Sequence, residues 1–132
     1  MKINDFFEMN ICYTQEQVNS FATITGDTNP IHIDEDFASK SFFGSRIIHG
    51  FLSGSIFSRI IGTYFPGNGS IYLSQSMKFL KPMYTETNYT VRVIIVNCDY
   101  EKNRYTLKTT IHNKVSMEEA LVGEALIYYK PI

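Results

Sequence analysis

A length of 132 residues, with 44% hydrophobic and 19% charged, suits one globular domain with a single core and excludes a disordered segment. The net charge is −1 and the Lys and Arg residues are scattered, so no basic stripe exists to track a phosphate backbone and nucleic acid is not an expected partner. Cys12 and Cys98 lie far apart and form no CxxC pair, which argues against a zinc site or a disulfide framework and fits a reducing cytoplasm.

The opening residues Met1 to Phe6 include Asp5 and no long apolar run, so a signal peptide is not expected. Nine Tyr and ten Phe, with no Trp, suit a chain rich in strands. Residues 1–13 read as an edge strand or an extended arm. A helix then starts at Thr14-Gln15-Glu16-Gln17, which has the form of a capping box. Val18, Phe21, Ala22 and Thr25 follow at i, i+3, i+4 and i+7, so one face is expected to be buried. Gly26 has the character of a left-handed helix stop.

The next stretch carries the chemistry. In Thr25-Gly26-Asp27-Thr28-Asn29-Pro30-Ile31-His32, a carboxylate and an imidazole flank an Asn-Pro turn signal. The residue before proline is pushed out of the α region, so Asp27 and His32 are expected at either end of a stiff loop rather than on one helix face. Such a loop can aim both side chains into one pocket, and a convergent carboxylate and imidazole are the usual means of moving protons. The plainer reading is turn chemistry at Asp27 and a surface histidine.

Asp34 can cap a short helix through Ser39, and Phe42-Phe43-Gly44 makes an apolar turn before Ile47-Ile48-His49-Gly50. From Gly50 to about Tyr64, Phe51, Leu52, Ile56, Phe57, Ile60 and Ile61 lie almost all round a helix, which predicts a buried one. Its Ser, Gly and Arg residues and its length rule out a membrane span. Pro66-Gly67-Asn68-Gly69 breaks the chain. The rest reads as four strands: residues 71–80, with Ile71, Leu73, Met77 and Phe79 on one face; a strand marked by Tyr89, Val91, Val93 and Ile95; Arg104 to His112, alternating cleanly; and about Ala120 to Tyr129. An antiparallel meander must cover one face, and the buried helix is the evident cover. This is an α+β arrangement, the hot-dog fold, with residues 1–132 as a single domain. Its open sheet edge makes a homodimer the expected assembly.

The order of motifs, Asp-x-Asn-Pro-x-His at Asp27 to His32, Ile47-Ile48-His49-Gly50 opening an apolar helix, and Gly69-Ser70-Ile71-Tyr72 opening a strand, resembles the MaoC-like family of (R)-specific enoyl-CoA hydratases. The resemblance runs from about residue 14 to residue 130. It implies a dimeric hot-dog domain that adds water across a trans-2-enoyl-CoA to give the (R)-3-hydroxyacyl-CoA. It also implies that Asp27 and His32 are the catalytic pair, that Gly50 lies near the thioester carbonyl, and that Ser58 and Ile61 on the buried helix line the acyl pocket. No metal and no redox cofactor is implied; the partner is an acyl-CoA or acyl-carrier thioester.

Other residues have plainer readings. His49 reads as structural, since it has no carboxylate near it in sequence. His112 falls on the polar face of its strand. Ser58 can simply bond back to its own helix backbone. Arg59 and Lys78 read as solvated surface charges, and Tyr72 as core or dimer interface. A hot-dog fold does not fix the reaction, so an acyl-CoA thioesterase, a dehydratase acting on carrier-bound chains, and a non-catalytic acyl-binding module stand as alternatives.

Overall fold

Thr14 opens the first helix as its sequence implies. In the computed structural model, which describes residues 1–131, its hydroxyl accepts from the Gln17 N–H at 3.1 Å. The Gln17 side chain in turn accepts from the Thr14 N–H at 2.9 Å. Helix α1 (Gln15–Thr25) closes on Gly26 at φ 78°, a left-handed conformation that suits glycine. Val18 and Ala22 are buried and Phe21 is half-buried, but Thr25 is exposed. Rather than extending the apolar face, its hydroxyl donates to the Phe21 carbonyl at 2.6 Å and accepts from the Asp27 N–H at 3.2 Å. Ile132, included in the single-domain reading, lies outside the described residues.

The Asn-Pro loop is shorter than expected. Asn29 takes the extended angles that a following proline imposes (φ −53°, ψ 124°), and Pro30 then starts a one-turn helix, α2 (Pro30–Ile33). The missing N–H of proline costs nothing at a first helical position. The Asn29 side chain caps that turn by accepting from the Ile31 N–H at 3.2 Å. His32 therefore rides on a helical turn and not at the end of a loop. Asp34 separates α2 from α3 (Glu35–Ser39) and caps α3 by accepting from the Phe37 N–H at 3.1 Å.

The strands β1 (Phe6–Ile11), β2 (Ile71–Gln75), β3 (Lys78–Phe79), β4 (Tyr89–Asp99), β5 (Arg104–Asn113) and β6 (Glu119–Tyr128) form one antiparallel sheet. Its order is β1-β4-β5-β6-β2, with β3 also paired to β6. Only β4, β5 and β6 form the expected meander. The stretch after β3 leaves the sheet and crosses to β4, held on the way by Ile48 N–H to the Met83 carbonyl at 2.8 Å and by the Tyr84 hydroxyl to the Phe43 carbonyl at 3.0 Å. The single strand expected over 71–80 is two. Ser76 interrupts it, its N–H donating to the Glu124 carbonyl at 2.9 Å and its hydroxyl accepting from the Glu124 N–H at 3.0 Å. Gly123 permits this, because a β-carbon there would collide with the Ser76 carbonyl.

Helix α4 (Gly50–Thr63) is the long helix of this hot-dog fold. Ile56, Phe57, Ile60 and Ile61 join one core with Val91, Val93, Ile95, Leu107, Ile111, Leu121 and Ile127 from the sheet. Alternation in β4 and β5 puts every second side chain into that core, as read from sequence. The helix is not buried all round in the single chain: Phe51, Ser55, Ser58, Arg59 and Gly62 are exposed. Among the described residues no helix is long and apolar enough to cross a membrane.

Candidate active site

Asp27, His32 and His49 meet beside the start of α4. One carboxylate oxygen of Asp27 and one ring nitrogen of each histidine all lie within 4.8 Å of one another. Local backbone chemistry brings them there. Gly26 turns the chain out of α1, the Thr25 hydroxyl holds the Asp27 N–H, and the Asn29 cap with Pro30 swings His32 back on a helical turn. The turn is tied to α1 by the Gln15 side-chain amide, which donates to the His32 carbonyl at 2.8 Å.

His32 is buried, and its Nδ1–H donates to the Ile47 carbonyl at 2.8 Å. Burial pushes its pKa below the ordinary imidazole value; the Ile47 bond opposes that, the neighbouring His49 adds to it and Asp27 opposes it. The neutral ring with Nδ1 protonated leaves a lone pair on Nε2. The Asp27 side chain is exposed, with an Oδ1 accepting weakly from the Asn29 N–H at 3.5 Å.

A cavity of about 430 Å³ adjoins this cluster, within the usual range for a small-molecule site. Its wall includes His32, Gly50, Ser53, Phe79, Met83 and Leu121, so it is apolar with a polar corner. The first N–H groups of a helix have no intrahelical partner, and the first turn of α4 opens on this cavity at Gly50. Phe79 lies so close that a β-carbon on Gly50 would sit 2.7 Å from its ring. The Ser53 hydroxyl is turned back, donating to the Gly50 carbonyl at 2.8 Å.

Asp27 and His32 are thus brought together and His32 shares a cavity wall with Gly50, whereas Ser58 and Ile61 lie apart from them. Ser58 faces outward from α4, and Ile61 is enclosed in the core, so neither lines this wall in the single chain. Ser58 stands roughly 140° round the helix from Ser53, on an exposed side, and Ile61, in phase with Gly50, lies about 16 Å further along the axis. Arg59 is engaged with Tyr64, whose hydroxyl accepts from it at 3.3 Å, and Lys78 is exposed. His112 lies half-buried on the outer face of the sheet.

His49, read as structural from sequence, packs against both Asp27 and His32. It is buried, stacks on His32 with ring centroids 3.9 Å apart, and bonds through Nε2 to the Asp27 carbonyl at 3.0 Å. Linear distance hid that contact, although the His-Gly pair at a helix start was visible. Two histidines and a carboxylate have the composition of a metal site. Here, however, the rings are stacked with planes 26° apart, and the in-plane lone pairs of stacked rings run alongside each other instead of converging on one ion.

Comparison with known proteins agrees with this geometry. Residues 5–119 match the family described as MaoC like domain. The chain is 39% identical over 114 residues to the 3-hydroxybutyryl-CoA dehydratase of Methylorubrum extorquens, covering 86% of this chain and 71% of that protein. It is 37% identical over 116 residues to the (R)-specific enoyl-CoA hydratase of Rhodospirillum rubrum, covering 86% and 78%. Among solved structures it superposes on the (R)-hydratase from A. caviae involved in PHA biosynthesis with a TM-score of 0.94 at 32% identity, covering 98% of both chains. The chain belongs to the MaoC-like domain family.

Proposed function

We propose that this protein adds water reversibly across a trans-2-enoyl thioester to give the (R)-3-hydroxyacyl thioester, with Asp27 and His32 activating the water. The observation that carries this is the approach of the Asp27 carboxylate to within 4.8 Å of a ring nitrogen of His32, which itself lines the polar corner of an apolar cavity. A water making hydrogen bonds of about 2.8 Å to both groups bridges such a gap. Asp27, ionised, takes the proton as the water oxygen attacks carbon 3, and the Nε2 lone pair of His32 holds and orients the same water. The proton then passes to carbon 2 from the same side. Negative charge builds on the thioester oxygen as the enolate forms, and the Gly50 N–H at the α4 N-terminus opposes it. Proton transfer from positioned groups is worth roughly 10²–10⁴-fold. The reaction involves no change of oxidation state overall, so these groups suffice without a cofactor.

The reading includes a coenzyme A or carrier-protein thioester as substrate, the chain acting as one domain, and pairing with a second copy. Half-exposed Ile71 and Leu73 and exposed Phe51 on the β2 side of α4 support the pairing. It also includes a cytoplasmic setting, supported by the two free cysteines. Crotonyl-CoA tests the reaction. Loss of the conjugated absorbance without thiol release, abolished in Asp27→Asn and His32→Ala, with an (R) product, is the expected result. Thiol release would make the protein a thioesterase instead.

A further inference from the structure

His49 contacts both Asp27 and His32 and immediately precedes Gly50. Its Nε2 lies 3.0 Å from the Asp27 backbone carbonyl, and since a carbonyl only accepts, Nε2 carries the hydrogen. One face of its ring stacks on His32 at 3.9 Å, and Phe21 of α1 packs against it at 4.9 Å. It immediately precedes Gly50, as the N-cap residue of α4, yet its side chain makes no cap bond there. It is almost wholly enclosed and is not part of the cavity wall.

We propose that His49 is a positioning residue for this reaction: it fixes the Asp27 loop and the plane of the His32 ring in the frame of α4, without touching substrate. This rests on the roles of Asp27 and His32 given above. The choice of side chain supports it. Among the described residues the buried Nδ1 of His49 has no hydrogen-bond partner, which is unfavourable. A phenyl ring would fill the same place between Phe21 and His32 with no such cost. What the imidazole adds is the Nε2–H bond to Asp27. The loop needs it, because the Asp27 carboxylate is exposed and its own N–H is held only by a 3.2 Å bond to Thr25. The His49 bond runs from the element that carries Gly50, so the base that takes the proton and the amide that receives the charge share one frame. A misplacement of about 1 Å is enough to cost roughly 100-fold in rate.

Two variants separate the ring from the donor. His49→Phe keeps the stack and loses the bond; His49→Gln places an amide N–H near the Nε2 position and loses the ring. Steady-state hydration of crotonyl-CoA is measured for both, with thermal melts alongside. The expected result is a kcat roughly 100-fold lower in His49→Phe with KM unchanged, and recovery of most of that loss in His49→Gln. In an Asp27→Asn background, His49→Phe is expected to cost little more, because the group it positions is already gone. Full kcat in His49→Phe overturns the proposal, as does a raised KM at constant kcat, or an equal loss in both folded variants. If His49→Phe does not fold, the glutamine variant decides: a kcat within about tenfold of wild type supports the proposal, and a loss as large as that of Asp27→Asn overturns it. A wild-type protein without hydratase activity, or a fully active Asp27→Asn, would instead sink the underlying reading.

Discussion

Residues 14–49 and the sheet with α4 are held by different forces. The three short helices of the first region bury little: Val18 and Ala22 from α1, His32 from α2 and Ala38 from α3. Their geometry rests on side chains bonded to backbone, with Thr14, Asn29 and Asp34 as caps and Gln15 and His32 as cross-ties. The sheet and α4 share one continuous apolar core, to which the first region adds Val18 and Ile48. The proposed proton-moving groups stand on the first region, while the cavity wall is shared: the first region gives it His32, Phe43, Ile47 and Ile48, and the second gives Gly50, Ser53, Phe79, Ala120 and Leu121. Such a division predicts that damage to the caps reaches activity before it reaches global stability, and that damage to the core does the reverse.

The largest expected effect tests the first half of that contrast. Asp27→Asn removes the proposed base while keeping the size of an exposed side chain, so kcat is expected to fall roughly 10²–10⁴-fold with the melting temperature unchanged. Leu107→Ala tests the second half. Leu107 is fully buried in the core, and its truncation is expected to cost about 2–5 kcal/mol in a urea titration, with the folded fraction keeping its kcat. A variant that lost kcat in proportion to stability would show that the two regions are coupled and break the comparison.

The same contrast governs what the sequence disclosed. Caps and turns are written in adjacent residues, so the Thr14–Gln17 box, the Gly26 stop and the Asp34 cap were legible to within a residue. Alternation is equally local, and it placed Tyr89, Val91, Val93 and Ile95 correctly in the core. What failed depends on contacts distant in sequence. The break at Ser76 follows from its approach to Gly123, and the place of β2 beside β6 follows from the crossing over Ile48 and Phe43. The exposure of Ser58 was hidden for a simpler reason: an apolar composition all round a helix does not say which side the single chain leaves open.

Gly50 lies where the two regions touch. Gly50→Ala improves helix propensity, so stability is expected to hold or rise slightly. The new methyl meets the Phe79 ring, which must leave the cavity wall, and kcat/KM is expected to fall about tenfold, or ~1.4 kcal/mol of transition-state stabilisation. Adding Phe79→Leu relieves that contact and is expected to restore part of the loss; no recovery would point to the amide itself. Thr14→Ala is a smaller perturbation. Losing the cap is expected to cost about 1 kcal/mol, measured by denaturant titration, and to loosen the platform to which Gln15 ties His32.

The smallest effect is a pH dependence, small because opposing causes set it. Burial lowers the His32 pKa, the Ile47 carbonyl bond raises it, His49 lowers it and Asp27 raises it, leaving a net lowering. In the unfolded chain this imidazole titrates near 6.5. As pH falls through that value the unfolded state takes up the proton first, so the stability contributed by neutral His32 is complete above 6.5 and declines below it. The decline stops once the folded ring is itself protonated. The same protonation removes the Nε2 lone pair, so the acid limb of kcat is expected below 6.5 rather than at it. An NMR titration of the His32 ring measures this directly. A value above 6.5 would mean that Asp27 outweighs burial and holds an imidazolium, and the water would then face a charged donor where the proposed chemistry requires an acceptor.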